Sequence, residues 1–350
     1  MRIAVHVSRK EQPGSYAPGW ISALEKRNVP VTRVDLQTAD ALDRVLGCDG
    51  VMWHWFHSPE DKQSALKILP AIEFGLGIPV FPDMRTCWHY DEKIAQHYLL
   101  QAIQAPRVPS WVFWHYADAM DFIRRCTYPK VFKLSVGAGS ANVVKLDSRI
   151  EAEHLVKRMF LEGMFPYTLN EYRRSVTVRS VEEMGKMVRR FIQGMRYALS
   201  SRYPPLQGYF QAQKNYLYIQ DFIPGNAYDI RITVIGDRGF GFIRYNREND
   251  FRASGSGRID HDPGKIPLDA VKIAHEISLK NGFQSMAYDF LSGRDGKMMI
   301  SEISYCYMSQ AVHECPGFWD RDLRWHEGRI RPEDAHVEDF IAAVSGKESL

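Results

Sequence analysis

Four short stretches hold residue types that can do phosphate and metal chemistry. Lys133 ends an apolar run and is followed by Ser135, Val136, Gly137, Ala138, Gly139 and Ser140. A lysine at a strand end ahead of small residues can neutralise phosphate while loop N–H groups bind its oxygens. The lysine precedes the glycines and no Gly-Lys-Ser/Thr follows, so this is neither a Walker loop nor a dinucleotide Gly-x-Gly-x-x-Gly turn. A hairpin turn with a solvated lysine is the plain alternative. Further on, Gln220, Asp221, Phe222 and Ile223 end a strand at a Pro-Gly turn, and Asp229 and Arg231 alternate on the next. Arg244, Arg247 and Arg252 fall within nine residues, ahead of a Ser/Gly stretch. They suit an anion, and equally a solvated charged loop. Asp289 and Glu302 each sit among apolar neighbours on two strands joined by a glycine turn. A buried carboxylate is costly unless paired or metal-bound. Two on adjacent strands suit Mg²⁺, which takes a few carboxylates plus phosphate oxygens.

The elements that must position these residues follow from pattern. Strands are expected over 3–7, 29–36, 50–55 and 77–81, with helices over 20–27 and from Ser58, a capping residue followed by Pro59. Leu66, Leu69, Ile72 and Phe74 supply the apolar face of that second helix. Strands alternating with helices imply a parallel, two-sided sheet over about the first 85 residues. A periodic helix spans 90–103 with Asp91 as its cap. Strands are expected over 111–114, 128–134 and 143–146, the last two as a hairpin. Two or three amphipathic helices fill 149–203. Strands over 216–223, 229–235, 239–245, 285–291 and 298–303 follow, with a helix over 270–281.

Composition narrows the classes. The chain has 350 residues, 45% apolar and 25% charged, with a net charge of +3. That balance excludes a disordered tail or a small stapled scaffold and gives no polyelectrolyte signature for nucleic acid. Cys48, Cys87, Cys126, Cys306 and Cys315 form no CxxC pair, so reduced thiols and a cytoplasmic protein are expected. The first apolar stretch is too short for a signal peptide, and no run reaches the roughly 18 residues of a membrane span. Cys306, His313, Glu314 and Cys315 match no zinc spacing. Trp53 to His57 form an aromatic and histidine cluster at a strand's C-terminal end, where open α/β sheets gather ligands.

The order of the four chemical stretches resembles the ATP-grasp superfamily of carboxylate–amine ligases, the group of D-alanine–D-alanine ligase, glutathione synthetase and the ribosomal-protein glutamate ligase. The resemblance runs from about Tyr90 to Ser304. It implies a mixed α/β and α+β architecture: a pre-ATP-grasp parallel domain over 1–88, a central lobe over 89–220 and a C-terminal lobe over 221–350. It also implies that ATP and Mg²⁺, with Mn²⁺ as a substitute, are bound in a cleft between two sheets. On that pattern Lys93 and Lys133 contact nucleotide phosphates, with Ser135, Gly137, Gly139 and Ser140 as the phosphate loop. Gln220, Asp221, Phe222 and Ile223 resemble the adenine-reading hinge, and Asp229 a ribose contact. Asp289 and Glu302 match the metal ligands. The run from Asn246 to Arg252 is similar to the glutamate-ligase branch. Arg231, Arg244 and Arg252 are then candidates for the transferring phosphoryl group and the substrate carboxylate. Two departures stand out. Ser304 occupies the position of the family's third metal ligand, an asparagine, and a long helical insertion covers about 147–213, shaping either an acceptor site or a homodimer contact. The implied reaction passes a phosphoryl group from ATP to a small-molecule, peptide or sugar-acid carboxylate, which an amine then attacks. A small-molecule kinase and a non-catalytic ATP-binding module are the competing readings.

Overall fold

The computed structural model describes residues 1–9, 13–137, 142–166, 212–248 and 250–346. The chain divides into two compact units. The first comprises Met1–Tyr90, Tyr98–Val108 and Ile223–Leu350, and the second Asp91–His97 and Pro109–Phe222. Residues 1–90 thus fall in one unit with Ile223–Leu350. Val51, Trp53, Trp55 and Leu69 pack in one buried cluster with Tyr288, Ile303 and Tyr305.

The first unit holds two sheets. Strands β1 (Ile3–His6), β2 (Val31–Val34), β3 (Gly50–Met52) and β4 (Val80–Phe81) form the parallel sheet in the order β2-β1-β3-β4. Its first helix, Ala17–Lys26, opens earlier than expected because Pro18 fits the first helical turn. Ser58 caps the helix Pro59–Pro70 as expected, accepting from the Asp61 N–H at 3.1 Å. Phe74 does not join that helix's buried face. It lies in the π-turn Ala71–Gly75, which breaks the α-helical spacing, and is 72% exposed.

The larger sheet contains β9 (Tyr228–Ile235), β10 (Arg238–Tyr245), β11 (Ile259–Asp260), β12 (Ser285–Ser292), β13 (Met298–Ser304), β14 (Gly317–Trp319) and β15 (Trp325–Glu327). Its main path runs β13-β12-β9-β10-β14-β15, with β11 on β10. Ile230, Ile232 and Val234 of β9 pack with Ala270, Val271 and Ala274 of the helix Leu268–Asn281. The intervening residues Asp229 and Arg231 therefore point to the other face. The last two strands and the helix Pro332–Val344 were not legible in the sequence.

The second unit carries β5 (Ser110–Phe113), β6 (Lys130–Lys133), β7 (Val143–Leu146) and β8 (Leu217–Asp221) in the order β5-β8-β6-β7. The β6–β7 hairpin is as expected. The helices Tyr116–Arg125 and Arg149–Leu161 pack Met120, Ile123, Leu155 and Met159 against it. Of the helical insertion, residues 167–211 lie outside the described residues. Asp91 is not a helix cap. Its φ is +53°, the helix begins at Lys93, and its carboxylate is used elsewhere.

Candidate active site

In the second unit the two expected lysine segments meet. Lys93 donates its backbone N–H to the Ser135 carbonyl at 2.7 Å and its Nζ to the Gly137 carbonyl at 2.5 Å. The Asp91 carboxylate accepts the Gly137 N–H at 2.6 Å. Ser135 donates its hydroxyl to Glu92 at 2.7 Å and its N–H to the Tyr216 hydroxyl at 2.9 Å. Ser135 and Gly137, in the loop after β6, are thus bonded to Asp91, Glu92 and Lys93. Lys133, the last residue of β6, is 8% exposed. Gly137 has φ +108°, and a Cβ there would stand 2.1 Å from Asn142 Nδ2. That amide donates to the Val136 carbonyl at 2.8 Å, so the glycine is required twice, by conformation and by space. Gly139 and Ser140 lie outside the described residues.

Gln220 and Asp221 end β8. Gln220 donates to Ser110 Oγ at 2.9 Å, and Asp221 takes an ion pair from Lys130, which also lies 5.0 Å above the Trp111 ring. Lys145 stands 4.9 Å from the Phe222 ring centroid, and Ile223 opens the last segment of the first unit.

The first unit gathers the expected acids and two of the expected arginines on one sheet face. Register places Asp229 opposite Arg244, Arg231 opposite Asp289, and Asp289 opposite Glu302. Arg231 grips Asp289 with two bonds, Nε to Oδ1 at 2.7 Å and Nη2 to Oδ2 at 2.8 Å. Arg244 grips Asp229 the same way, at 2.7 Å twice, and its Nη2 also reaches Asp289 Oδ2 at 2.7 Å. Burial alone would push Asp289 up, but the two guanidiniums outweigh it and hold this carboxyl far below the usual range. Asp229 moves the other way: burial and the nearby Asp289 charge raise it despite Arg244. The resemblance implies a ribose contact at Asp229 and anion ligands at the two arginines; here Arg231 bonds Asp289, and Arg244 bonds both Asp229 and Asp289.

A carboxylate offers about four lone-pair directions. Asp289 Oδ2 accepts two bonds and Oδ1 one, which leaves a direction on Oδ1 for a cation. Together with Glu302 across the strand, this fits Mg²⁺ held by two acids, with phosphate and water completing six positions. The expected third ligand, Ser304, has its hydroxyl proton engaged in a turn. Ser304 Oγ donates to the Cys306 carbonyl at 2.7 Å and accepts the Cys306 N–H at 3.2 Å, which commits the hydroxyl to a turn. Among the described residues, no group of three or more His, Cys, Asp or Glu side chains is arranged to hold a metal ion. Arg252 is bound within its own loop, Nε to both Asp250 oxygens at 2.9 Å.

A network that the sequence did not assemble ties the end of β13 to the parallel sheet. The Tyr16 hydroxyl donates to the Tyr307 carbonyl at 2.5 Å and accepts the Tyr307 N–H at 3.1 Å. The Tyr305 hydroxyl does the same to Trp55, at 3.0 and 3.2 Å. His54 lies between them, stacked on Tyr16 at 3.8 Å, with Nδ1 accepting the Tyr16 N–H at 3.3 Å. That leaves the proton on Nε2, 3.2 Å from Cys306 Sγ. Burial, with His57 nearby, pushes His54 down to about 3, so the ring is neutral. The tyrosines flanking Cys306, so soon after Glu302, were the available signal.

No family model matches the chain. Among curated proteins it is similar to the alpha-aminoadipate–LysW ligase LysX of Saccharolobus solfataricus, 23% identical over 230 residues. That match covers 65% of this chain and 66% of the relative. Solved structures match along nearly the whole length. A RimK-domain ATP-grasp protein from Sphaerobacter thermophilus superposes with a TM-score of 0.54 at 14% identity, covering 97% of this chain and 99% of that one. D-alanine–D-alanine ligase from Bacillus anthracis gives 0.55 at 13%, covering 99% and 97%. The macrocyclase MdnC of Microcystis aeruginosa, bound to its precursor peptide MdnA, gives 0.57 at 12%, covering 97% and 99%. The chain has the ATP-grasp fold, the class that the order of its lysines and acids resembled.

Proposed function

We propose that this chain is an ATP-dependent ligase that activates a carboxylate as an acyl phosphate and joins it to an amine, releasing ADP and phosphate. The observation that carries the reading is the joining of Lys93 to the loop after Lys133 in one unit, with Asp289 and Glu302 paired across adjacent strands in the other. Phosphoryl transfer is driven by positioning and charge neutralisation, and these residue types supply both. Lys93 and Lys133 hold nucleotide phosphates, and N–H groups of the loop from Ser135 to Ser140 add directed donors. Residues 220–223 take the adenine. Asp289 and Glu302 hold Mg²⁺, which when bound screens the phosphate charge. Arg231 and Arg244 keep Asp289 ionised and add fixed positive charge beside it. Arg252, paired with Asp250 within its own loop, is the remaining candidate for an incoming carboxylate. The LysX relative and the solved ligases of this fold support amide-bond chemistry with a small-molecule or peptide acceptor.

The test is ADP release over a matrix of carboxylic acids and amines with Mg²⁺-ATP. Turnover that needs both an acid and an amine supports the ligase. Turnover with a single hydroxylated compound supports a small-molecule kinase, the second reading, which draws on the loss of the family's asparagine at Ser304.

A further inference from the structure

Away from these residues, the first unit carries a shallow, open-mouthed surface cavity of about 510 Å³. It is lined by Lys26 and Arg27 at the end of the first helix, by Arg329 and Arg331 ahead of the last helix, and by His313, Asp334 and Glu338. The first helix starts beside His54 and runs ten residues to Lys26, about 15 Å at 1.5 Å per residue. The cavity is therefore at the far end of that helix from the Tyr16–His54–Cys306 network.

Its charge is unbalanced. Each acid already has an arginine: Asp334 pairs with Arg27 at 3.8 Å, and Glu338 with Arg238 at 3.0 Å. Lys26, Arg329 and Arg331 are exposed and make no ion pair or side-chain hydrogen bond among the described residues. Three unanswered cations thus line one cavity, in a chain whose whole net charge is +3. Like charges brought together repel one another, and guanidinium forks match the paired oxygens of phosphate and carboxylate. His313 donates from Nδ1 to the Ile330 carbonyl at 3.3 Å, which holds the segment between the two arginines in place.

We propose that this cavity binds a small polyanion bearing two or three phosphate or carboxylate groups, at a site distinct from the residues proposed for ATP. Isothermal titration of the full chain tests it, with inorganic tripolyphosphate and citrate as probes, metal removed by EDTA and ionic strength matched. The expected result is saturable one-to-one binding of at least one probe, kept in Lys133→Ala. It should be at least about tenfold weaker in Arg329→Ala/Arg331→Ala, and weaker in Lys26→Ala, which lies on a different element. The probe that binds more tightly separates phosphate from carboxylate chemistry. No saturable binding of either probe, unchanged affinity in both cavity variants, or loss in Lys133→Ala alone would overturn the proposal.

Discussion

Arg231 and Asp289 meet fork to fork across the β9–β12 register, at 2.7 and 2.8 Å, and Asp289 is buried at that contact. An acid so held is ionised at every pH the protein meets. It is also structural, because removing it takes the two-bond partner of the half-buried Arg231 and one of the contacts of the buried Arg244.

Asp289→Asn should therefore do two things. Loss of a buried charge partner costs about 3–5 kcal/mol, so thermal unfolding should fall by several degrees, and Mg²⁺-dependent turnover should vanish. Glu302→Gln separates the two roles. It should abolish turnover and weaken Mn²⁺ binding in the presence of ADP while moving the melting temperature little. A Glu302→Gln protein with normal metal binding would remove the metal assignment.

Gly137→Ala tests the phosphate loop. A residue with a Cβ at φ +108° costs about 1–3 kcal/mol locally, and the Asn142 amide must also move. ATP affinity should drop at least about tenfold by titration, with the loop's bonds to Asp91 and Lys93 disturbed. Unchanged affinity would place the nucleotide elsewhere.

Acid should destabilise the fold through buried histidines. Burial pushes His54 and His336 down to about 3, while in the unfolded chain each titrates near 6.5. Between those values the unfolded state binds the extra proton, so stability is full above about pH 6.5 and falls as pH drops toward 3. From pH 7 to pH 5 each histidine contributes a loss of about 2 kcal/mol. His6 and His89, each pushed down to about 4 by burial, act in the same direction. Denaturant titrations at the two pH values measure the loss, and His336→Gln should shrink it. A flat profile would mean that these rings take up protons in the fold as they do in the unfolded chain.

The sequence exposed what local chemistry determines. The β6–β7 hairpin, the Ser58 cap and the facing of Asp289 and Glu302 follow from alternation, turn residues and strand pairing, all short-range signals. What it concealed depends on distant partners. Asp91 reads as a helix cap because an aspartate before a periodic run usually is one, yet Gly137, 46 residues on, takes its carboxylate. The pairing of Arg231 and Arg244 with Asp229 and Asp289 comes from sheet register and has no local trace. The staples from Tyr16 to Tyr307 and from Tyr305 to Trp55 span some 250 to 291 residues and have no local trace.

Arg252→Lys tests the incoming carboxylate. Lysine keeps the charge but loses the planar fork. The expected result is a KM for the acid raised about tenfold with a smaller change in kcat, whereas near-normal kinetics would confine Arg252 to its pair with Asp250.

The most direct measurement of the central claim uses an acid substrate whose carboxylate carries heavy oxygen. An acyl phosphate places one carboxylate oxygen between carbon and phosphorus, and attack by the amine breaks the bond from carbon to that oxygen. The ligase account predicts one labelled oxygen in each released inorganic phosphate. Label held entirely in the organic product, or a stable phosphorylated alcohol, would contradict it.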